Sequence, residues 1–147
     1  MFAMSVLTLG IFWVGQQTQL NNLERSDRSL SWIHLAFLGV VSLIPFSTAL
    51  LAEFTRYRTA LVIYWLNILL LGVILYLSWT CAVEKQLLKA DLAYEVHSAV
   101  QNRILIAQAL YAFGALVCVF NTYWSIALIV AVQLNYAVAP RLPRRRK

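Results

Sequence analysis

Charged side chains are scarce in this chain: lysine and arginine number 12 and aspartate and glutamate 6 among 147 residues. At 12% the charged fraction lies far below the roughly 25% of a soluble domain, which excludes a fold with a fully hydrated surface. Cysteine occurs twice, as Cys81 and Cys118. Neither sits in a C-x-x-C or metal-ligand spacing, so no disulfide framework and no metal site is indicated, and packing is their expected role. Histidine also occurs twice, and haem ligation would need both His34 and His97 at suitable depth. His97 falls between apolar segments, so no haem and no other cofactor is expected. Glycine and proline form no phosphate loop and no linker that would divide the chain. Paired carboxylates and a Ser/His/Asp arrangement are also missing, so no enzyme is expected.

What the chain has instead is apolar length. Its residues are 61% hydrophobic, against roughly 45–50% in an ordinary soluble domain. A helix needs ~17–20 mostly apolar residues to cross a hydrocarbon core about 30 Å thick. Five segments meet that need: 2–20, 30–51, 60–83, 104–120 and 123–139. None shows the period-2 alternation of a barrel strand, the other way to satisfy backbone hydrogen bonds in lipid. The expected fold is therefore an all-α membrane protein, a bundle of five transmembrane helices in one domain, 1–147, embedded in the lipid bilayer. The last two segments form an antiparallel hairpin turning at Asn121 and Thr122. Between the third and fourth lies "EKQLLKADLAYEVHSAVQNR", where Leu88, Leu92, Val96 and Val100 recur every four residues; this spacing predicts helical extensions standing out of the membrane.

The sequence pI near 9.7 reflects topology and not a nucleic-acid footprint, because the positive charge sits in short segments between apolar runs and at the C-terminus. Placing the tail "RLPRRRK" in the cytoplasm puts ten basic residues on that side: Arg25, Arg28, Lys85, Lys89, Arg103 and the five of the tail. Only Arg56 and Arg58 remain outside, as the positive-inside bias requires. Five spans with a cytoplasmic C-terminus put Met1 outside, and "MFAMSVLTLGIFWV" has neither a basic n-region nor a cleavage site of a signal peptide. A missing upstream helix is one expectation; a five-span protein with an external N-terminus is the other.

Proline at position 45, in "VVSLIPFSTALLAEF", removes a backbone hydrogen bond and kinks the second span. Ser42, Ser47 and Thr48 are placed to take up the freed groups. Either the kink is a packing feature or it shapes a cavity. Glu53 then sits at the outer boundary, within reach of Arg56 or Arg58. Trp13, Gln16, Gln17 and Thr18 lie near the cytoplasmic end of the first span, where the amides either bond between helices or rest in the headgroup region. His34 lies about one turn inside the second span, and antiparallel packing would bring it near Gln16; it is either a structural hydrogen-bond partner or a titrating group. Asn67, Gln108, Gln133 and Asn135 read as interhelical hydrogen-bonding positions. No span carries an Asp, Glu, Lys or Arg at mid-depth, so proton-relay and voltage-sensor arrangements are not indicated.

"LTLGIFWVGQQ" followed by "LSWIHLAFLGVVSLIPFSTALLAEF" resembles the transmembrane-protein-175 family, the lysosomal and endosomal potassium channels and their bacterial relatives. The residues that carry the resemblance are Gly10, Trp13, Val14, Trp32, Leu43, Pro45, Phe46, Thr48, Ala49, Leu50, Leu51 and Glu53. The resemblance implies that the five segments correspond to family helices two to six. The first helix, with its Phe-Ser-Asp motif and pore-lining residues, is absent, and so the pore-lining positions lie outside this sequence. Family members often have histidines where Gln16 and Gln17 stand and asparagine where His34 stands. What the resemblance implies for function is a potassium-selective leak channel subunit. It conducts through a hydrophobic constriction, since the T-V-G-Y-G filter is absent. The implied assembly is a homotetramer in a bacterial plasma membrane, with potassium as permeant species. Trp13, Gln16 and His34 would then form a supporting network and Pro45 a helix kink. The alternative is a non-conducting five-span scaffold or regulatory subunit.

Overall fold

The computed structural model describes residues 2–90 and 94–138; the basic tail and Leu92 lie outside the described residues, as does any statement about the orientation of the C-terminus. Six helices fill these residues: α1 (Phe2–Asn21), α2 (Arg28–Val41), α3 (Ile44–Glu53), α4 (Arg58–Glu84), α5 (Tyr94–Leu116) and α6 (Thr122–Val138). A short 3-10 turn, Val117–Val119, continues α5. Because α2 and α3 form one bent stretch, the architecture is a five-membered all-α membrane bundle. Three stretches among the described residues are long and apolar enough to cross a membrane: Arg28–Glu53, Arg58–Glu84 and Val96–Val119. The apolar α6 is shorter, and α1 carries the polar residues Ser5, Thr8, Gln16 and Gln19 on its buried face.

At its centre stands α4, which packs against all five other helices. Its 27 residues rise about 1.5 Å each, enough to run the length of the bundle. Leu61, Tyr64, Ile68 and Leu71, spaced three or four apart on one stripe, are fully buried. In lipid, helix association comes from close packing and interhelical hydrogen bonds, because apolar burial gains little over contact with acyl chains. Glycine supplies the close approach at two places. A side-chain carbon at Gly72 would lie 1.8 Å from the Gln108 amide nitrogen of α5, and one at Gly114 would lie 2.9 Å from Ile129 Cγ1 of α6. The Gly114 carbonyl also accepts a 2.5 Å hydrogen bond from Ser125 Oγ.

Pro45 acts by separating two helices. Ser42 and Leu43 keep right-handed helical dihedrals between α2 and α3, and the proline stands in the first turn of α3, where its missing N–H is tolerated. The three hydroxyls expected near the break do bond to backbone: Ser42 donates to the Gly39 carbonyl, while Ser47 and Thr48 donate to that of Ile44. The hairpin between α5 and α6 turns at Asn121, whose Oδ1 accepts the Tyr123 N–H at 2.9 Å as an N-cap. Thr122 is already helical.

Periodic Leu88 misled the sequence reading between the third and fourth spans. Helix α4 stops at Glu84 because Gln86 adopts a left-handed conformation, φ 53°. The Leu87 N–H then bonds back to the Ala82 carbonyl and the Gln86 N–H to that of Val83, a Schellman closure with glutamine in the usual glycine position. Beyond it the chain pairs with the α1–α2 connection. Glu24 N–H and Arg25 N–H donate to the Leu87 carbonyl, and Lys89 N–H donates to that of Asn22, around a Leu23–Leu88 bridge. Lys85 Nζ adds an ion pair to Asp27 and a 2.8 Å bond to Ser29 Oγ. The two connections form one clasp at this end of the bundle.

Candidate functional site

Helix α1 packs on α3, α4 and α6 and leaves its flank toward α2 open. Between α1 and α2 runs a groove of about 360 Å³, lined by Val6, Leu9, Gly10, Trp13, Phe37 and Val41. Its walls are almost wholly apolar. Trp13 is 52% exposed on its edge, and a side-chain carbon at Gly10 would meet nothing within 4 Å. The exposed side chains of Val6, Val14, Leu35 and Leu38 extend the apolar surface on both helices.

Gln16 and His34 hold the two helices across the clasp end of the groove. The Gln16 amide Nε2 lies 3.1 Å from His34 Nδ1, on a buried glutamine. Since the amide donates, Nδ1 accepts and the ring proton sits on Nε2. That Nε2 is buried without a hydrogen-bond partner, which leaves a donor available toward anything placed beside it. Trp13 does not join this pair; it faces the groove one turn away.

Behind the groove a buried polar cluster ties α1 to α4 and α6. Thr8 Oγ1 lies 2.8 Å from the Tyr64 hydroxyl, and Gln133 Nε2 donates to Thr8 Oγ1 at 2.6 Å and to the Tyr64 hydroxyl at 3.0 Å. With Thr8 donating to the Met4 carbonyl at 2.8 Å, the Tyr64 hydroxyl donates to Thr8, and every polar hydrogen of the three groups has an acceptor. Interhelical hydrogen bonds in membranes contribute ~0.6–1.7 kcal/mol each, so the cluster fixes α1 against its support. Gln19 Nε2 donates to the Leu75 carbonyl at 3.0 Å and Asn67 Nδ2 to Ser47 Oγ at 3.1 Å. Gln133, Asn67 and Gln108 thus bond between helices, whereas Asn135 is exposed. Thr8 and Tyr64 escaped the sequence reading because hydropathy counts them as nearly neutral; their depth beside Gln133 was the available signal. His97 accepts a 2.8 Å bond from Trp79 Nε1 within α5–α4 packing and lies away from His34.

All of the groove's lining residues, and both Gln16 and His34, fall within the first 45 positions. A family model described as "Endosomal/lysosomal potassium channel TMEM175" matches residues 1–45. Over that stretch the chain belongs to this family. The chain is also 38% identical, over 55 residues, to a potassium channel of Streptomyces collinus (strain DSM 40733 / Tue 365). That similarity covers 37% of this chain and 27% of the length of the relative. No solved structure matches. The family match ends at Pro45, so it takes in α1, α2 and the break before α3.

Proposed function

We propose that this chain is a subunit of a potassium-permeable channel, mediating passive potassium movement across a membrane. The observation that carries the reading is the coincidence of the family match with the open groove: the residues shared with potassium channels are those that leave an apolar helical face without a partner. The bundle interior is filled by Tyr64, Leu71, Ile129 and Gln133, so conduction is assigned to an interface between this face and other helical segments. A homotetramer around a central axis is the assembly that fits the resemblance. Apolar constrictions of that kind gate by dewetting. In this arrangement α3 to α6 brace α1 and α2, and the Gln16–His34 pair sets their spacing. The filled interior also favours a second reading, a non-conducting scaffold or regulatory subunit built on the same bundle.

Gly10→Leu separates the two. The added side chain has open space within the chain, so the variant should fold with native helicity. Under the channel reading it fills a face needed for assembly and should abolish potassium flux into liposomes. A variant that conducts like its parent would overturn the assignment of this groove.

A further inference from the structure

At the opposite end of α4 from the clasp, the α3–α4 and α5–α6 connections enclose a cavity of about 250 Å³, lined in part by Thr55, Arg56, Arg58, Asn121, Thr122 and Tyr123. Arg56 and Arg58 are the two basic residues that the loop pattern sets apart from the other ten, and both face this one cavity. Neither is paired: Glu53 forms no ion pair with them, and Lys85–Asp27 is the ion pair found among the described residues. Two helices also begin here, α4 at Arg58 and α6 at Thr122, and neither has an acidic residue in its first turn. Their positive dipole ends therefore add to the guanidinium charges.

Aromatic side chains surround the opening. Phe54, Tyr57, Phe120, Tyr123 and Trp124 are all exposed, the arrangement of a belt at a membrane–water interface. Leu116 and Val119, also exposed, continue the surface toward the apolar zone. A ligand here meets cations and hydroxyls at headgroup depth and an apolar wall below them.

We propose that this cavity binds the phosphodiester group of an anionic phospholipid, with Arg56 and Arg58 on the phosphate and the acyl chains lying along the Leu116–Val119 flank. The apolar flank commits the site to a lipid and not to a free anion. The two arginines favour a net negative headgroup over a zwitterionic one.

The test is native mass spectrometry of the purified chain titrated with phosphatidylglycerol, phosphatidylcholine or inorganic phosphate. Phosphatidylglycerol should be retained in preference to phosphatidylcholine, and millimolar inorganic phosphate should not displace it. The exposed double substitution Arg56→Gln/Arg58→Gln should weaken retention by roughly tenfold, from a few-fold contribution per basic residue at a membrane surface. Arg56→Lys, which keeps the charge, should lose less. Size-exclusion profile and helicity of each variant establish that it is folded. Equal retention of the two lipids, or equal retention by the folded double variant, would overturn the site. Displacement by inorganic phosphate would overturn its assignment to lipid.

Discussion

Replacing Gly72 with alanine probes the α4–α5 packing with a change of one methyl group. The new carbon would lie 1.8 Å from Gln108 Nε2, 2.3 Å from Cδ and 2.9 Å from Cγ. Turning the terminal amide alone cannot clear the Cγ contact, so the Gln108 side chain must leave its place or the helices must part. Overpacking of this kind costs ~1–3 kcal/mol. Moving Gln108 surrenders little, since its bond to the Ile68 carbonyl is long, 3.5 Å, and its Oε1 is buried without a partner. Gln108→Ala alone should destabilise by about 1 kcal/mol through the space left over Gly72. In the double variant the alanine methyl enters that space, so the two effects should oppose each other by about 1–2 kcal/mol. Reversible unfolding in mixed micelles, followed by tryptophan fluorescence, measures all four corners of the cycle. Effects that add to within ~0.3–0.5 kcal/mol, or a neutral Gly72→Ala, would refute the packing argument.

Three further outcomes follow from the same structure. Gln86→Gly should raise stability by about 0.5–1 kcal/mol, because the left-handed conformation at φ 53° carries a side-chain clash that glycine lacks; an unchanged or lower unfolding midpoint contradicts this. The clasp should respond to pH on both sides. The Lys85 ammonium holds the Asp27 carboxyl below its ordinary 3.8, and Asp27 in turn raises Lys85 above its ordinary 10.5. The Asp27 contribution is present above pH 3.8 and lost as pH falls through its lowered value; the Lys85 contribution is full below 10.5 and lost as pH rises through its raised value. The effect is small at this exposure, and melting curves of the native chain and Lys85→Gln should diverge only between those limits. Parallel curves throughout would count against the pair. Finally, Pro45→Ala supplies an N–H for the Val41 carbonyl and should join α2 to α3. Spin labels at exposed Trp32 and Phe54, with Cys81 and Cys118 replaced by serine, should move apart toward ~33 Å, the span of 22 residues of straight helix. An unchanged distance would mean that packing on α4 sets the bend.

Long apolar runs made the bundle legible, because in lipid only helices or closed barrels satisfy the backbone and the runs had no strand alternation. Depth did the same for the Gln16–His34 contact: two polar residues near the same end of adjacent antiparallel spans have few other partners. The clasp was hidden for a local reason. A glutamine in the left-handed position gives no sequence sign of a helix stop, and the four-residue spacing through Leu88, Val96 and Val100 suggested continuous helix instead. Backbone pairing between connections distant in sequence leaves no side-chain pattern at all. The groove was equally invisible, since an unpartnered apolar face and a packed one have the same hydropathy.

Ion flux measured in proteoliposomes containing the chain, with potassium or sodium as the permeant cation, tests the central claim most directly. Potassium uptake well above sodium uptake, lost in Gly10→Leu, is the expected result. Equal leakage of both ions, or no flux above protein-free liposomes, would contradict it.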